Sequence, residues 1–499
     1  MCSSTPHKRQ TYTEITKKIT LKMNLKQKVL TGTKWVTFAN IFRQILQLIS
    51  LVVFARLLAP NDFGMFAILM IFVGFMQMFT DMGTGAALIH IKNPSDKLLS
   101  SVFYFNLFVG LLLTTSLILM SNSIALFFET PKIEVLLEII SVSFIIASFG
   151  VVQKALYEKH LDFKKVTVIE SFSAFVSLAI GICAAFYGLG VFSLVIQTLS
   201  ARILLAVLLW IYSDWRPMFY FALDDIKHIW QFTKNLSLFN VVNYFARNAD
   251  NFLIGKFLGS PALGVYSIAY KIMLYPLQNI SRTLLRILFP AFAQIQDDNK
   301  KFRKVYLRVI FFISLISFPL MVGLMATADI FIPILFGDKW KNLDTLIIIL
   351  SPIGMIQSII TTTGSIYMAK GNTRTLMRIG IVSSIITVLF FIAGLPFGVE
   401  GVAFFYLMSN LIILYPVLKI SWGQINLSVK RGIAEVFPIL IISIIMGIGV
   451  VLIGKIIGSF FSYTLLKLVM MILSGLLIYY VLITWKYGNM KALLSELKK

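Results

Sequence analysis

Charge is what this chain most lacks. Charged side chains make up 13% of its 499 residues, against about a quarter in a soluble domain, too few to cover a water-facing surface. Cysteine is nearly absent. Cys2 stands at the extreme N-terminus and Cys183 inside an apolar stretch, a pair that builds neither a disulfide framework nor a metal site. No apolar segment precedes Cys2, which excludes a lipoprotein signal. The sequence has no His/Cys cluster, no phosphate-cradling glycine loop, no Ser/His/Asp set and no Walker motif, so neither enzyme chemistry nor ATP hydrolysis has a seat in it. No cofactor is expected. Acids are also short, 22 against 45 Lys and Arg for a net charge of +23. The basic segments lack the interleaved aromatics of a nucleic-acid platform, and no nucleic-acid partner is expected.

What fills the chain is apolar: 58% of residues are hydrophobic. Runs of about 18 residues or more, each able to cross a bilayer, recur between polar breaks. They predict an all-α polytopic membrane protein of about fourteen transmembrane helices, over 36–57, 64–89, 98–120, 135–157, 166–187, 190–212, 230–258, 262–289, 305–327, 343–369, 375–395, 398–420, 432–454 and 461–485. The stretch from 98 to 157 is the least clean, because a further apolar patch lies between Ser121 and Glu134.

The basic residues orient these spans. With the N-terminus inside, roughly 32 cations fall on cytoplasmic segments and about four outside, the latter Lys132, Lys339, Lys341 and Lys455; a missed span would scramble that asymmetry. Both termini are expected in the cytoplasm of a bacterial cell with the body in its inner membrane. Met23, in Met-Asn-Leu-Lys-Gln-Lys, is a plausible start of translation.

Self-similarity divides the chain. Thr33-Lys34, Asn40, Arg56-Leu57-Leu58 and Gly64-Met65-Phe66-Ala67-Ile68 recur two hundred positions later as Thr233-Lys234, Asn240, Lys256-Phe257-Leu258 and Gly264-Val265-Tyr266-Ser267-Ile268. Shared composition explains a Leu on a Leu, but not a cation, a turn glycine and polar in-helix residues in register. Six spans separate the copies, an even number, which implies parallel repeats. The expected organisation is a tail over 1–34, a lobe of helices one to six over 35–228, a second six-helix lobe over 229–425, and two C-terminal helices with a tail over 426–499. The interface between lobes is the natural substrate path.

Polar stripes mark certain spans. Span one carries Asn40, Arg43, Gln44, Gln47 and Ser50 on one face, and span seven Asn240, Asn243, Tyr244, Arg247, Asp250 and Asn251. Span eight adds Lys271, Tyr275, Gln278, Arg282 and Arg286, span two Gln77 and Asp81, and span six Gln197 and Arg202. A cation facing lipid at mid-bilayer costs ~2.5–3.5 kcal/mol. Arg43, Arg202, Arg247 and Lys271 together would forfeit on the order of 10 kcal/mol, comparable to a protein's whole stability. They are expected to face water, an anion or a carboxylate. Arg286 can snorkel, Arg56 and Lys256 can pair near the outer ends, and Arg247 with Asp250 can form either an ion pair or a functional site. Arg43, Lys271 and Arg282 have no acid on their own helices and point to a cavity role. Cations lining the path favour an anionic substrate; Asn40, Gln47, Asn240, Asn243 and Gln278 beside them suit hydroxyl-rich sugars. An anionic glycolipid fits both. Asp81, Glu170 and Asp250 are candidates for proton or sodium coupling.

Leu30-Thr-Gly-Thr-Lys-Trp35, Phe54-Ala-Arg-Leu-Leu-Ala-Pro-Asn-Asp-Phe-Gly64 and Asp81-Met-Gly-Thr-Gly-Ala-Ala-Leu-Ile89 resemble the opening of Wzx-type polysaccharide flippases, in the branch that includes the colanic-acid exporter. Ala246-Arg-Asn-Ala-Asp-Asn-Phe-Leu-Ile-Gly255 and Leu258-Gly-Ser-Pro-Ala-Leu-Gly-Val-Tyr266 resemble its seventh span. The resemblance runs from Met23 to Ile425 and weakens beyond. It implies membership of the multidrug/oligosaccharidyl-lipid/polysaccharide exporter superfamily, with two six-helix lobes and two further helices. It also implies export of undecaprenyl-diphosphate-linked sugar units by alternating access, for exopolysaccharide or O-antigen. The diphosphate would rest on Arg43, Arg247, Lys271, Arg282 and Arg202, the polyprenyl tail in lipid, with polymerase and export machinery as partners. A multidrug exporter of the same superfamily is the alternative, disfavoured because cationic drugs suit acidic cavities. A glycan polymerase or glycosyltransferase would need a sizeable active-site segment outside the membrane.

Overall fold

The computed structural model describes residues 35–80, 83–277, 291–460 and 464–488. Every regular element among them is helical, as a lipid environment demands of a chain that must satisfy its backbone polar groups internally. The first half holds α1 (Trp35–Leu57), α2 (Pro60–Gln77), α3 (Thr84–His90), α4 (Asp96–Phe127), α5 (Lys132–Ser148), α6 (Val151–Lys159), α7 (Phe163–Phe186) and α8 (Val191–Tyr212). The second holds α9 (Leu223–Phe257), α10 (Gly259–Pro276), α11 (Asn299–Phe336), α12 (Leu343–Ala369), α13 (Thr373–Gly394), α14 (Gly398–Gly423), α15 (Val429–Phe460) and α16 (Thr464–Tyr487).

Local chemistry sets many of the ends. Ser95 accepts from the Leu98 amide and caps α4, Asp162 accepts from Lys165 and caps α7, and Asp298 accepts from both Lys300 and Lys301 to cap α11. Each satisfies amides that the first turn leaves unpaired. These amides, Lys301 first and then Lys300, hold the Asp298 carboxyl below the usual carboxylate range. At the end of α12, Gly371 turns left-handed at φ 71°, which lets the Asn372 amide reach back to the Tyr367 carbonyl at 2.9 Å. The apolar patch after Ser121 belongs to α4, which runs on to Phe127 before Glu129 turns the chain at φ 53°.

Ten helical stretches among the described residues are long and apolar enough to cross a membrane, or eleven if the bent pair α5–α6, broken by 42°, is one span. That is fewer than the fourteen expected, for physical reasons. The polar stripes leave α9 and α10 outside the apolar set, and 373–423 counts as one stretch although a short 3-10 turn at Leu395–Phe397 divides it into α13 and α14.

The chain forms two compact units. One takes the described residues up to Leu57 and Leu69–Asn243; the other takes Leu58–Ile68 and the chain from Tyr244 onward. In the first unit α4 packs on α5, α7 on α8, and α5 on α8. Small residues bring α4 and α5 together, as in membrane packing generally. Thr114 donates to the Ser141 carbonyl at 2.8 Å, and a Cβ on Gly110 would meet Ser148 Oγ at 2.3 Å.

In the second unit α11 is central, flanked by α12, α15 and α16. Its core contains Phe302, Tyr306, Ile310, Ile313 and Trp422. The buried polar tips find partners: Trp422 Nε1 donates to Tyr306 Oη at 3.1 Å, and that hydroxyl lies 2.7 Å from Thr362 Oγ1. Large apolar side chains such as Leu119, Leu126, Phe186 and Ile211 stay uncovered by protein, the inverse of a water-facing surface.

The two-hundred-residue repeat acquires a physical form in the second unit. A Cβ on Gly64 would lie 1.6 Å from the Ser260 carbonyl oxygen, and one on Gly264 would lie 1.8 Å from the Pro60 carbonyl oxygen. Each glycine faces the repeat counterpart of the other's contact, so the crossing of α2 and α10 is reciprocal. Ser260 Oγ also donates to Asn61 Oδ1 at 2.5 Å.

Candidate functional site

The first unit gathers three charges from three helices. Arg43 on α1 donates to Asn40 Oδ1 on its own helix at 2.7 Å and to Glu170 Oε2 on α7. Lys154 on α6 donates to the other oxygen, Glu170 Oε1, at 2.7 Å, with Glu158 4.0 Å away on its far side. One carboxylate therefore serves two cations, and Glu158 beside Lys154 brings the group to charge balance. The group is open: the side chains of Arg43, Lys154 and Glu170 are 31%, 40% and 19% exposed. Arg43 has no acid on its own helix, as expected, and its partner lies 127 residues away. Lys154 was missed as a site residue because it reads as one more cytoplasmic lysine at a helix end. Nothing in its spacing announces a contact with α7.

Further along α1 and α8, Gln197 Nε2 reaches Ser50 Oγ at 3.4 Å. Gln47 is uncovered by protein, and Arg202 on α8 is half-buried and forms no ion pair among the described residues.

The second unit is built differently. Asp250 on α9 is buried, with 2% of its surface exposed, and its partners are hydroxyl and amide groups. Tyr266 Oη on α10 donates to Asp250 Oδ2 at 3.0 Å, and the Asn251 amide donates to Oδ1 at 2.8 Å. Tyr266 stacks on Tyr270 at 5.8 Å between ring centroids, Tyr270 lies 6.3 Å from Tyr406 on α14, and Gln357 on α12 donates to Tyr406 Oη at 2.6 Å. Arg247 forms no ion pair with Asp250. It is exposed, as is Lys271 on α10. Of the other expected residues, Asn240 and Asn243 lie on α9 with side chains outside the described set, and Asp81, Gln278 and Arg282 lie outside the described residues.

Helices rich in intramembrane cations, a reciprocal repeat and an all-helical body narrow the comparison with known proteins. Residues 53–344 match the family described as polysaccharide biosynthesis protein, more than half of the 499 residues. The chain belongs to that family. It is similar to the lipopolysaccharide biosynthesis protein WzxC of Escherichia coli K12, 26% identical over 439 residues that cover 85% of this chain and 89% of that protein. It is also similar to the teichuronic acid biosynthesis protein TuaB of Bacillus subtilis 168, 29% identical over 350 residues, 70% of this chain and 72% of that protein. Among solved structures, the lipid II flippase MurJ in an inward closed conformation superposes with a TM-score of 0.73 at 18% identity, covering 90% of this chain and 98% of that one. That likeness fixes the fold of this family member, and the Wzx-type resemblance read from the motifs is borne out.

Proposed function

We propose that this polysaccharide biosynthesis protein is a transporter, not an enzyme, that flips undecaprenyl-diphosphate-linked oligosaccharide units across the bacterial inner membrane by alternating access. The observation that carries the proposal is the surplus of cations on the helices. Arg202, Arg247 and Lys271 form no ion pair among the described residues, and Arg43 and Lys154 converge on the Glu170 carboxylate, with Glu158 4.0 Å from Lys154. Such charges are retained in a membrane only where water or an anionic ligand meets them. A diphosphate supplies that anion, and Asn40, Gln47, Asn240, Asn243 and Gln278 supply hydrogen bonds for sugars. Arg282 joins the cationic set, and Asp81, Glu170 and Asp250 are the carboxylates open to ion coupling. The same surplus disfavours a multidrug exporter of cationic drugs.

The topology we propose has fourteen spans. They comprise α1, the broken α2–α3, α4, the bent α5–α6, then each of α7 to α16, with both termini cytoplasmic. Helices one to six and seven to twelve form parallel repeats, and the last two helices are additional.

The test is made in a strain lacking the gene. Such a strain should accumulate lipid-linked oligosaccharide on the cytoplasmic leaflet. Arg247→Ala and Lys271→Ala break no ion pair among the described residues, so each should abolish export while its membrane level stays that of wild type. Normal export by both variants would end the reading.

A further inference from the structure

The cluster on α1, α6 and α7 is arranged around the Glu170 carboxylate. Two cations from separate helices converge on the two oxygens of one carboxylate, one donor to each oxygen. A phosphate group offers the same thing to the same donors: two negatively charged oxygens on one centre, at the separation a guanidinium or ammonium pair can grip. The cluster is not sealed off by protein, with Lys154 40% exposed, so a ligand can approach without unfolding a helix. Glu170 sits seven residues into α7, about 10 Å along its axis, at the end where the proposed topology places the cytoplasm. A lipid-linked anion would meet this cluster early, before the deeper cations.

We propose that Glu170 is a built-in stand-in for the substrate's diphosphate: it holds Arg43 and Lys154 in place while the transporter is empty, and an incoming diphosphate displaces it and takes both cations. This inference rests on the proposed function and adds a binding residue, Lys154, together with a route to proton coupling. The charged groups bearing on Glu170 are Arg43 from α1 and Lys154 from α6, with Glu158 beyond Lys154. Arg202 on neighbouring α8 forms no ion pair with it. With substrate bound, the carboxylate has lost both partners and faces an anion, and each change favours its neutral form. Glu170 then takes a proton from water on the open side, and gives it back when the diphosphate leaves and the two cations return.

The sign follows. Ligand binding raises the proton affinity of Glu170, so the ligand binds more tightly as pH falls, and that gain is lost as pH rises through the bound-state titration. The probe is a short-chain prenyl diphospho-sugar, whose diphosphate diester is fully ionised from about pH 5 to 8, leaving the protein as the source of any titration.

Titration calorimetry of the full-length protein in detergent, repeated in buffers of different ionisation enthalpy, counts protons taken up on binding. Wild type should take up a fraction of a proton approaching one, and its affinity should rise by up to about tenfold per unit fall in pH. Glu170→Gln should bind the probe at least as tightly at neutral pH, because the competitor is gone, with no proton uptake and a flat pH profile. Lys154→Gln should weaken binding about tenfold or more and keep the uptake.

An ordinary structural ion pair would give the opposite result: weaker binding by Glu170→Gln and no protons taken up by wild type. Should Glu170→Gln not be recovered folded, the wild-type proton count and the Lys154→Gln affinity decide by themselves. Failure of wild type to bind the probe at all would overturn the proposed substrate class. Binding without proton uptake would overturn the stand-in role of Glu170 and leave the substrate class intact.

Discussion

The two units place equivalent helices of one repeat in opposite electrostatic settings. On α1 the sequence runs Asn40, Arg43, Gln47, Ser50; two hundred residues on, α9 runs Asn240, Asn243, Arg247, Asp250. The cation has moved one helical turn and the serine has become a carboxylate. In the first unit the acid comes from elsewhere, Glu170, and sits open between two cations. In the second the acid is on the repeat helix itself, buried and held by Tyr266, while its sequence neighbour Arg247 is exposed and forms no ion pair with it. The α2–α10 crossing is thus matched across the two-hundred-residue repeat, whereas the charge chemistry of α1 and α9 differs. Crossings tolerate no change of shape, whereas polar positions tolerate any change that leaves each charge hydrated, paired or hydrogen-bonded.

The largest effect should come from breaking what the repeats share. Gly64→Ala and Gly264→Ala each drive a Cβ into a backbone carbonyl, which has no rotamer to escape by. Each should cost about 3 kcal/mol or more, read as loss of a monodisperse peak and a lowered melting temperature in detergent, and by a similar amount because the contact is reciprocal. Gly364→Ala on α12 meets nothing within 4 Å and should be neutral or gain up to about 1 kcal/mol. A mild Gly64→Ala beside a severe Gly264→Ala would break the equivalence of the two copies.

A smaller effect should separate the tyrosines around Asp250. Tyr266→Phe removes the hydroxyl bonded to a buried carboxylate and should cost about 1–3 kcal/mol in thermal stability. Tyr270→Phe removes a hydroxyl bonded to the neutral Tyr406 rather than to a carboxylate and should cost less. Equal losses would mean that the Tyr270 hydroxyl, bonded to Tyr406, supports the site as much as the Tyr266–Asp250 bond does.

The smallest effect compares two caps. Asp298 caps α11 with a carboxylate whose proton affinity is lowered by the Lys301 and Lys300 amides, whereas Ser95 caps α4 with a hydroxyl. The Asp298 cap is present above its ordinary carboxylate titration and is lost as pH falls through the lowered folded value. Amide exchange at Lys300 and Lys301 should therefore accelerate, relative to its intrinsic rate, on acidification, while that at Leu98 keeps its protection. Parallel behaviour at both ends would remove the role given to Asp298.

Much of the body is legible in the sequence, because a bilayer asks for long apolar runs and punishes charge. The expected span 343–369 coincides with α12, and 166–187 with α7 to within a few residues. The stripe on α1 singled out Arg43, which the structure places beside Glu170. What the stripe left open was the partner. Arg247 and Asp250, three apart on one helix, have the spacing of an ion pair and do not form one. Arg43 and Glu170, with no such spacing, do.

By itself the sequence determined the class of environment, most of the helical segments and the two-hundred-residue repeat, since hydropathy and repetition are properties of the chain read along its length. Only the tertiary structure decided that Lys154 shares Glu170 with Arg43, that Asp250 is bonded by Tyr266, and that Gly64 faces Ser260 while Gly264 faces Pro60. Those outcomes depend on which helices pack side by side and how they are rotated, and a few degrees of rotation carries a long side chain from one neighbour to another.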